Sequence, residues 1–176
     1  DRLLDFHLAE GSDAVVVGGT TGESPALERS ELEELTRHAR RRIAGRIPLI
    51  VGSGTAGTAK SIVLSQAAEA AGADALLVVT PYYNRPTQAG LFQHFSAIAD
   101  AVGIPLVLYN VPGRTACDML PETIARLSRH PRIVAVKEAT GEVARGQEVL
   151  ALSQPGFVVL SGDDATAAAL MQVGAQ

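Results

Sequence analysis

An α/β fold built on a parallel sheet is predicted from three observations. Short apolar runs recur along the 176 residues, with starts about 25 to 34 residues apart, and stretches with helical spacing separate them. Nearly all the chemically distinctive side chains fall just after these runs, at what would be the C-terminal ends of the strands. Repetition of strand and helix gives either an open doubly wound sheet or a closed eight-fold barrel, and reactive groups gathered at the ends of several strands favour the barrel. Six runs are two short of eight, and that fold usually takes about 250 residues. The expectation is therefore one partial barrel domain over residues 1–176.

The chain opens on DRLLDFHLAEG, read as a helix already under way, and the first run, AVVVGG (14–19), follows it. GGTTGES comes next. Its adjacent hydroxyls, Thr20 and Thr21, and its backbone N–H groups offer a seat for a carboxylate, though a plain structural turn fits equally. It lacks the Gly-Lys-Ser/Thr ending of a phosphate loop. Leu32, Leu35, Ala39 and Ile43 mark the following helix, and Arg40, Arg41 and Arg42 read as its solvated face.

PLIVGSG (48–54) opens on a proline and runs into Gly52-Ser53-Gly54-Thr55-Ala56-Gly57, which matches the spacing of a dinucleotide fingerprint. That motif also needs an acid after the next strand, and the next strand ends Val78-Val79-Thr80-Pro81, so the glycines are read as a tight strand-to-helix turn. Gly11-Ser12-Asp13-Ala14 and Gly72-Ala73-Asp74-Ala75 repeat one another, each with a glycine suited to end a helix before a strand. ALLVVTP (75–81) leads to Tyr82 and Tyr83. Leu91, Phe95, Ile98 and Ala101 mark the next helix, and PLVLYNVP (105–112) leads to Tyr109 and Arg114.

The run Ile133-Val134-Ala135-Val136 looks like a strand buried on both faces, and Lys137 stands at its end. Either the lysine snorkels to solvent from the strand end or it sheds its proton and acts as a nucleophile. Tyr109 and Arg114 carry the same kind of alternative: a core aromatic and a surface charge, or a phenol and a guanidinium that grips a carboxylate. FVVLSGDD (157–164) ends in Asp163 and Asp164. With no third ligand in view they read as a helix cap rather than a metal site. The four histidines show no ligand spacing and are taken as surface or packing residues.

Composition excludes several classes. With 47% hydrophobic and 19% charged residues the chain is expected to be a soluble globular protein, and a net charge of −4 provides no field for nucleic acid. The single cysteine, Cys117, excludes an intrachain disulfide or a cysteine zinc cluster and suits a reducing compartment, with the cytoplasm expected. No run approaches the ~20 apolar residues of a membrane span.

Taken together, GTTGES, TPYYNRP, YNVPGRT, VKEATG and SGDD resemble the 4-hydroxy-tetrahydrodipicolinate (dihydrodipicolinate) synthase family, of the pyruvate-dependent class I aldolases that include N-acetylneuraminate lyase. The resemblance runs over essentially the whole chain. It implies a TIM (β/α)8 barrel, of which this chain covers about strands two to seven with strand one, strand eight and the C-terminal helical region missing, and a lyase of lysine and diaminopimelate biosynthesis that condenses pyruvate with L-aspartate 4-semialdehyde. It also implies that Lys137 forms the imine with pyruvate and that no separate cofactor or metal is needed. By the same resemblance Tyr109 carries protons and Thr21 links it to Tyr83, which reaches the neighbouring subunit's site in a homodimer or homotetramer. Thr20 and Thr21 would hold the pyruvate carboxylate, Arg114 that of the semialdehyde, and Gly162 would supply backbone at the pocket wall.

Arg114 favours the synthase over aldolases of 2-keto-3-deoxy sugar acids or 4-hydroxy-2-oxoglutarate. A non-catalytic barrel that binds small carboxylic acids is the alternative of another class. One departure from the family stands out: Ala56 and Lys60 replace an asparagine and a glutamate that, with histidines near Arg29 and Leu32, bind feedback lysine in inhibited members. Weak or absent inhibition by lysine is the expectation.

Overall fold

The computed structural model describes residues 1–176. In chain order the elements are α1 (Arg2–Ala9), β1 (Val15–Val17), α2 (Arg29–Ile43), β2 (Leu49–Gly52), α3 (Thr58–Ala70), β3 (Ala75–Val79), α4 (Gln88–Asp100) and β4 (Leu106–Asn110). The short α5 (Pro112–Thr115), α6 (Pro121–Leu127), β5 (Ile133–Glu138), α7 (Val143–Leu152), β6 (Val158–Ser161) and α8 (Ala167–Gln172) complete the chain. All six expected strands form one sheet, parallel throughout and in sequential order β1 to β6. This is the strand arrangement of a (β/α) barrel wall, with six strands present.

Two apolar clusters lie on opposite faces of the sheet. The larger packs Leu49, Val51, Leu76, Val78, Leu106, Leu108 and Val136 against helix residues such as Ile43, Leu91, Phe95 and Ile98. The smaller gathers Leu77, Val107, Tyr109, Val111 and Ala135 on the inner face. β3 and β4, buried on both faces, follow from their unbroken β-branched and aliphatic runs.

Several local signals act as expected. Gly11 and Gly72 adopt left-handed φ of 77° and 104° before β1 and β3. Gly52 and Gly54 are the tight turn: a Cβ on Gly52 would lie 1.9 Å from the Gly18 carbonyl oxygen, and one on Gly54 would lie 2.4 Å from the Val79 nitrogen. The glycines of the apparent fingerprint therefore let neighbouring strand ends touch. Glu28 and Glu31 form a reciprocal capping box on α2, and Thr87 caps α4 by accepting the Gly90 N–H at 3.1 Å.

Other expectations need correction. Val134 is 39% exposed rather than buried, because β5 bulges there: Leu106 pairs with Ile133, and the next residue, Val107, pairs with Ala135. The core face of α2 takes Thr36 in place of Leu35, since the Thr36 hydroxyl donates to the Leu32 carbonyl at 2.7 Å and needs no water. On α4, His94 and Ala99 join the core and Ala101 is the C-cap. Of the three arginines Arg41 is exposed as expected, whereas Arg40 grips Asp74, which also accepts the Leu49 N–H, and Arg42 pairs with Asp5 of α1. No helix is long and apolar enough to cross a membrane.

Candidate active site

The inner face opens, beyond the C-terminal ends of the strands, into a cleft of about 750 Å³. Six of the seven residues singled out above line it: Thr20, Thr21, Tyr109, Arg114, Lys137 and Gly162. Tyr83 does not. It is 90% exposed, held at φ 71°, and its backbone N–H donates to the Thr115 carbonyl at 3.1 Å, directly behind Arg114.

Strand register brings Tyr109 and Lys137 together. Tyr109 of β4 and Lys137 of β5 are register partners, both pointing inward, and the lysine Nζ stands 4.4 Å from the centre of the tyrosine ring. The bulge at Val134 is what brings the lysine inside. Side chains alternate faces along a strand, so an unbulged β5 continuing from Ile133 would set Lys137 opposite Asn110 and turn it towards the helices.

Burial lowers the Lys137 pKa below the ordinary lysine value; the Asp164 carboxylate opposes this and the Arg114 guanidinium adds to it. A half-buried amine without a tight ion pair is the state from which a nucleophilic lysine operates. Gly162 makes room for it: an added Cβ would lie 2.9 Å from Lys137 Cε and 2.8 Å from Ala139 Cβ.

Thr20 and Thr21 occupy a single turn of 3-10 helix after β1. Both face the cleft, but only Thr20 also lines the narrow recess that runs under Tyr109 towards Ser24 and Gly54. Asp163 caps the turn into α8, accepting the backbone N–H and the hydroxyl of Thr166 at 3.1 and 2.7 Å. No group of three His, Cys, Asp or Glu side chains is placed to hold a metal ion.

A feature not anticipated from the sequence lies on the other side of the same two strands. Asn110 and Glu138, the register partners directly after Tyr109 and Lys137, are 0% and 3% exposed and hydrogen-bonded to each other. Burial raises the Glu138 pKa above the usual carboxylate value, against the opposing hydrogen bonds from Asn110 and Thr140. The only advance signal was an amide and an acid ending two apolar runs, and it becomes legible once the strands are paired.

The model of the dihydrodipicolinate synthetase family matches residues 1–176. A 4-hydroxy-tetrahydrodipicolinate synthase of Pseudomonas savastanoi pv. phaseolicola is 58% identical over 173 residues, covering 98% of this chain and 59% of the relative. Among solved structures, the chloride-inhibited dihydrodipicolinate synthase of Acinetobacter baumannii complexed with pyruvate superposes with a TM-score of 0.96 at 46% identity, over 99% of this chain and 60% of that one. A monomeric dihydrodipicolinate synthase variant gives 0.97 at 41% identity, with the same coverage. The chain thus spans about three fifths of the length of these relatives. With Lys137, Tyr109 and Arg114 lining one cleft at the C-terminal side of the sheet, and a match along its whole length, the chain belongs to the dihydrodipicolinate synthetase family.

Proposed function

We propose that the protein is a Schiff-base lyase that condenses pyruvate with L-aspartate 4-semialdehyde to give 4-hydroxy-tetrahydrodipicolinate, a step towards lysine and diaminopimelate. Its six strands correspond on this reading to strands two to seven of the eight-fold barrel. The observation that carries it is the Lys137 amine over the Tyr109 ring, half-buried in a cleft that also holds Arg114 and the threonine turn. The pyruvate complex of the Acinetobacter relative supports the choice of keto acid.

The chemistry follows from the lysine. An unperturbed amine with pKa near 10.4 is neutral in well under one part in a thousand at pH 7, so a lowered pKa raises the reactive fraction directly. The neutral Nζ attacks the keto carbon, and water leaves as the imine forms. The cationic imine then draws electrons from the methyl group, a proton departs, and the enamine attacks the aldehyde carbon. Tyr109 is placed to carry these protons. Thr20 and Thr21 seat the pyruvate carboxylate and Arg114 that of the semialdehyde. The covalent lysine–pyruvate imine takes the place of a cofactor.

Thr21 is the expected link from Tyr109 to Tyr83, while the recess shared by Thr20 and Tyr109 supports Thr20 as the partner of that phenol. Valine replacements at each position separate the two. Tyr83, exposed and outside its own cleft, acts on this reading in the cleft of a second copy in a homodimer or homotetramer. The decisive assay for substrate is Arg114→Ala in the full-length protein. The synthase reading expects kcat/KM for the semialdehyde to fall by roughly 100-fold with imine formation retained, and an unchanged value would point to another aldehyde.

A further inference from the structure

We infer that Glu138 is a positioning residue for Lys137: with Asn110 it forms a clasp on the helix side of the sheet that selects the β4–β5 register in which the lysine amine stands over Tyr109. The inference rests on the imine-forming role proposed above for Lys137.

The geometry of the clasp is complete on both partners. Asn110 Nδ2 donates to Glu138 Oε2 at 3.1 Å and to Asp118 Oδ1 at 3.0 Å, and its Oδ1 accepts the Met119 N–H at 3.0 Å. Glu138 Oε1 accepts the Thr140 N–H at 2.8 Å. Asp118 is in turn held by both terminal nitrogens of Arg145 at 3.0 and 2.9 Å. The network ties β4, the loop after α5, β5 and α7 together, immediately behind the reactive pair.

The clasp is needed because the apolar part of β5 does not choose its own register. Ile133, Val134, Ala135 and Val136 are all small or branched hydrophobes, so a slip that removes the bulge exchanges one apolar contact for another. Such a slip would pair Tyr109 with Val136 and Asn110 with Lys137, turning the amine away from the cleft. It would also leave the Asn110 amide without Glu138 and place a lysine in that buried position. The polar residues at the strand ends distinguish the two registers: the slip buries Lys137 and breaks the Asn110–Glu138 pair, which lies one residue from the chemistry.

The test uses full-length Glu138→Leu and Glu138→Gln. The glutamine keeps the volume and can accept only one of the two hydrogen bonds that the carboxylate accepts. Two readouts are taken on each folded variant: borohydride trapping of pyruvate on Lys137, and acetylation of Lys137 without pyruvate, referenced to exposed Lys60, the only other lysine in residues 1–176. The expected result for the leucine variant is roughly a 100-fold loss of trapping rate and kcat, with the pyruvate KM within about 3-fold, as befits a displaced nucleophile. Its Lys137 acetylation ratio also falls. The glutamine variant is expected to lose about 10-fold.

Wild-type trapping and acetylation in a folded leucine variant would overturn the inference. If that variant fails to fold, the glutamine variant decides: an unchanged rate and ratio reject the positioning role. Absence of pyruvate trapping in the wild type would reject the imine reading itself, and the acetylation ratio would still report whether Glu138 holds the lysine in place.

Discussion

At the scale of single residues, two buried bases behave in ways that pH can expose. Lys137 has its pKa lowered chiefly by burial, so its neutral fraction at a given pH exceeds that of a free lysine. The imine-forming rate should rise with pH and level off below the pH at which an ordinary lysine would, and stopped-flow trapping with pyruvate across pH 6 to 11 would show it. His94, 5% exposed, has its pKa pushed down by burial to about 4; its Nδ1 meets the Thr58 hydroxyl at 2.9 Å and its Nε2 has no partner. The folded state therefore resists protonation that the unfolded chain accepts near pH 6.5. The protonation of His94 costs nothing above that pH, and stability falls as pH drops from about 6.5 through 4, by about 3 kcal/mol in all. Urea unfolding of the wild type and of His94→Gln at pH 7.5 and 4.5 checks this. The variant should lose less on acidification, and equal losses would clear His94 of the effect.

At the scale of elements, the strand ends depend on close backbone approach. Gly162→Ala sets a methyl group against the stem of Lys137, so it should leave the fold intact and reduce activity by roughly 10- to 100-fold, seen as a low kcat with normal circular dichroism. Gly54→Ala strikes the backbone of β3 instead, and should lower stability by at least about 1–3 kcal/mol, measured by thermal unfolding. The strands themselves were legible because unbroken branched apolar runs between glycines and prolines admit little else. The bulge was not, because nothing in four consecutive hydrophobes marks which one is extra. Thr36 was missed as a core residue because its burial depends on a hydrogen bond that periodicity does not carry, and nothing in the spacing told which of the four histidines would pack inside, as His94 does. Lys137, Tyr109 and Arg114 were legible as strand-end groups, but their meeting in one cleft depends on a register that only strand pairing reveals.

At the scale of the whole molecule, regulation and assembly come into question. The positions expected to hold feedback lysine are unsuited to it: Leu32 is buried in the core, Arg29 is engaged with Glu33, Lys60 is a cation, and the Ala56 carbonyl accepts the Asn84 amide. Millimolar lysine should leave the activity of the full-length protein within about 2-fold of its uninhibited value, since a cation has replaced an anion needed to bind an ammonium; inhibition at submillimolar lysine would refute this. Central to the proposed function is that Lys137 forms a covalent imine. The most direct test is to incubate the full-length protein with pyruvate, reduce it with borohydride, and locate the adduct by peptide mass spectrometry. One reduced pyruvyl group per chain is expected, on Lys137, and none in Lys137→Ala. A folded wild type that stays unmodified there would leave Lys137 as a cation at the end of a strand and the cleft as a site that binds carboxylic acids without chemistry.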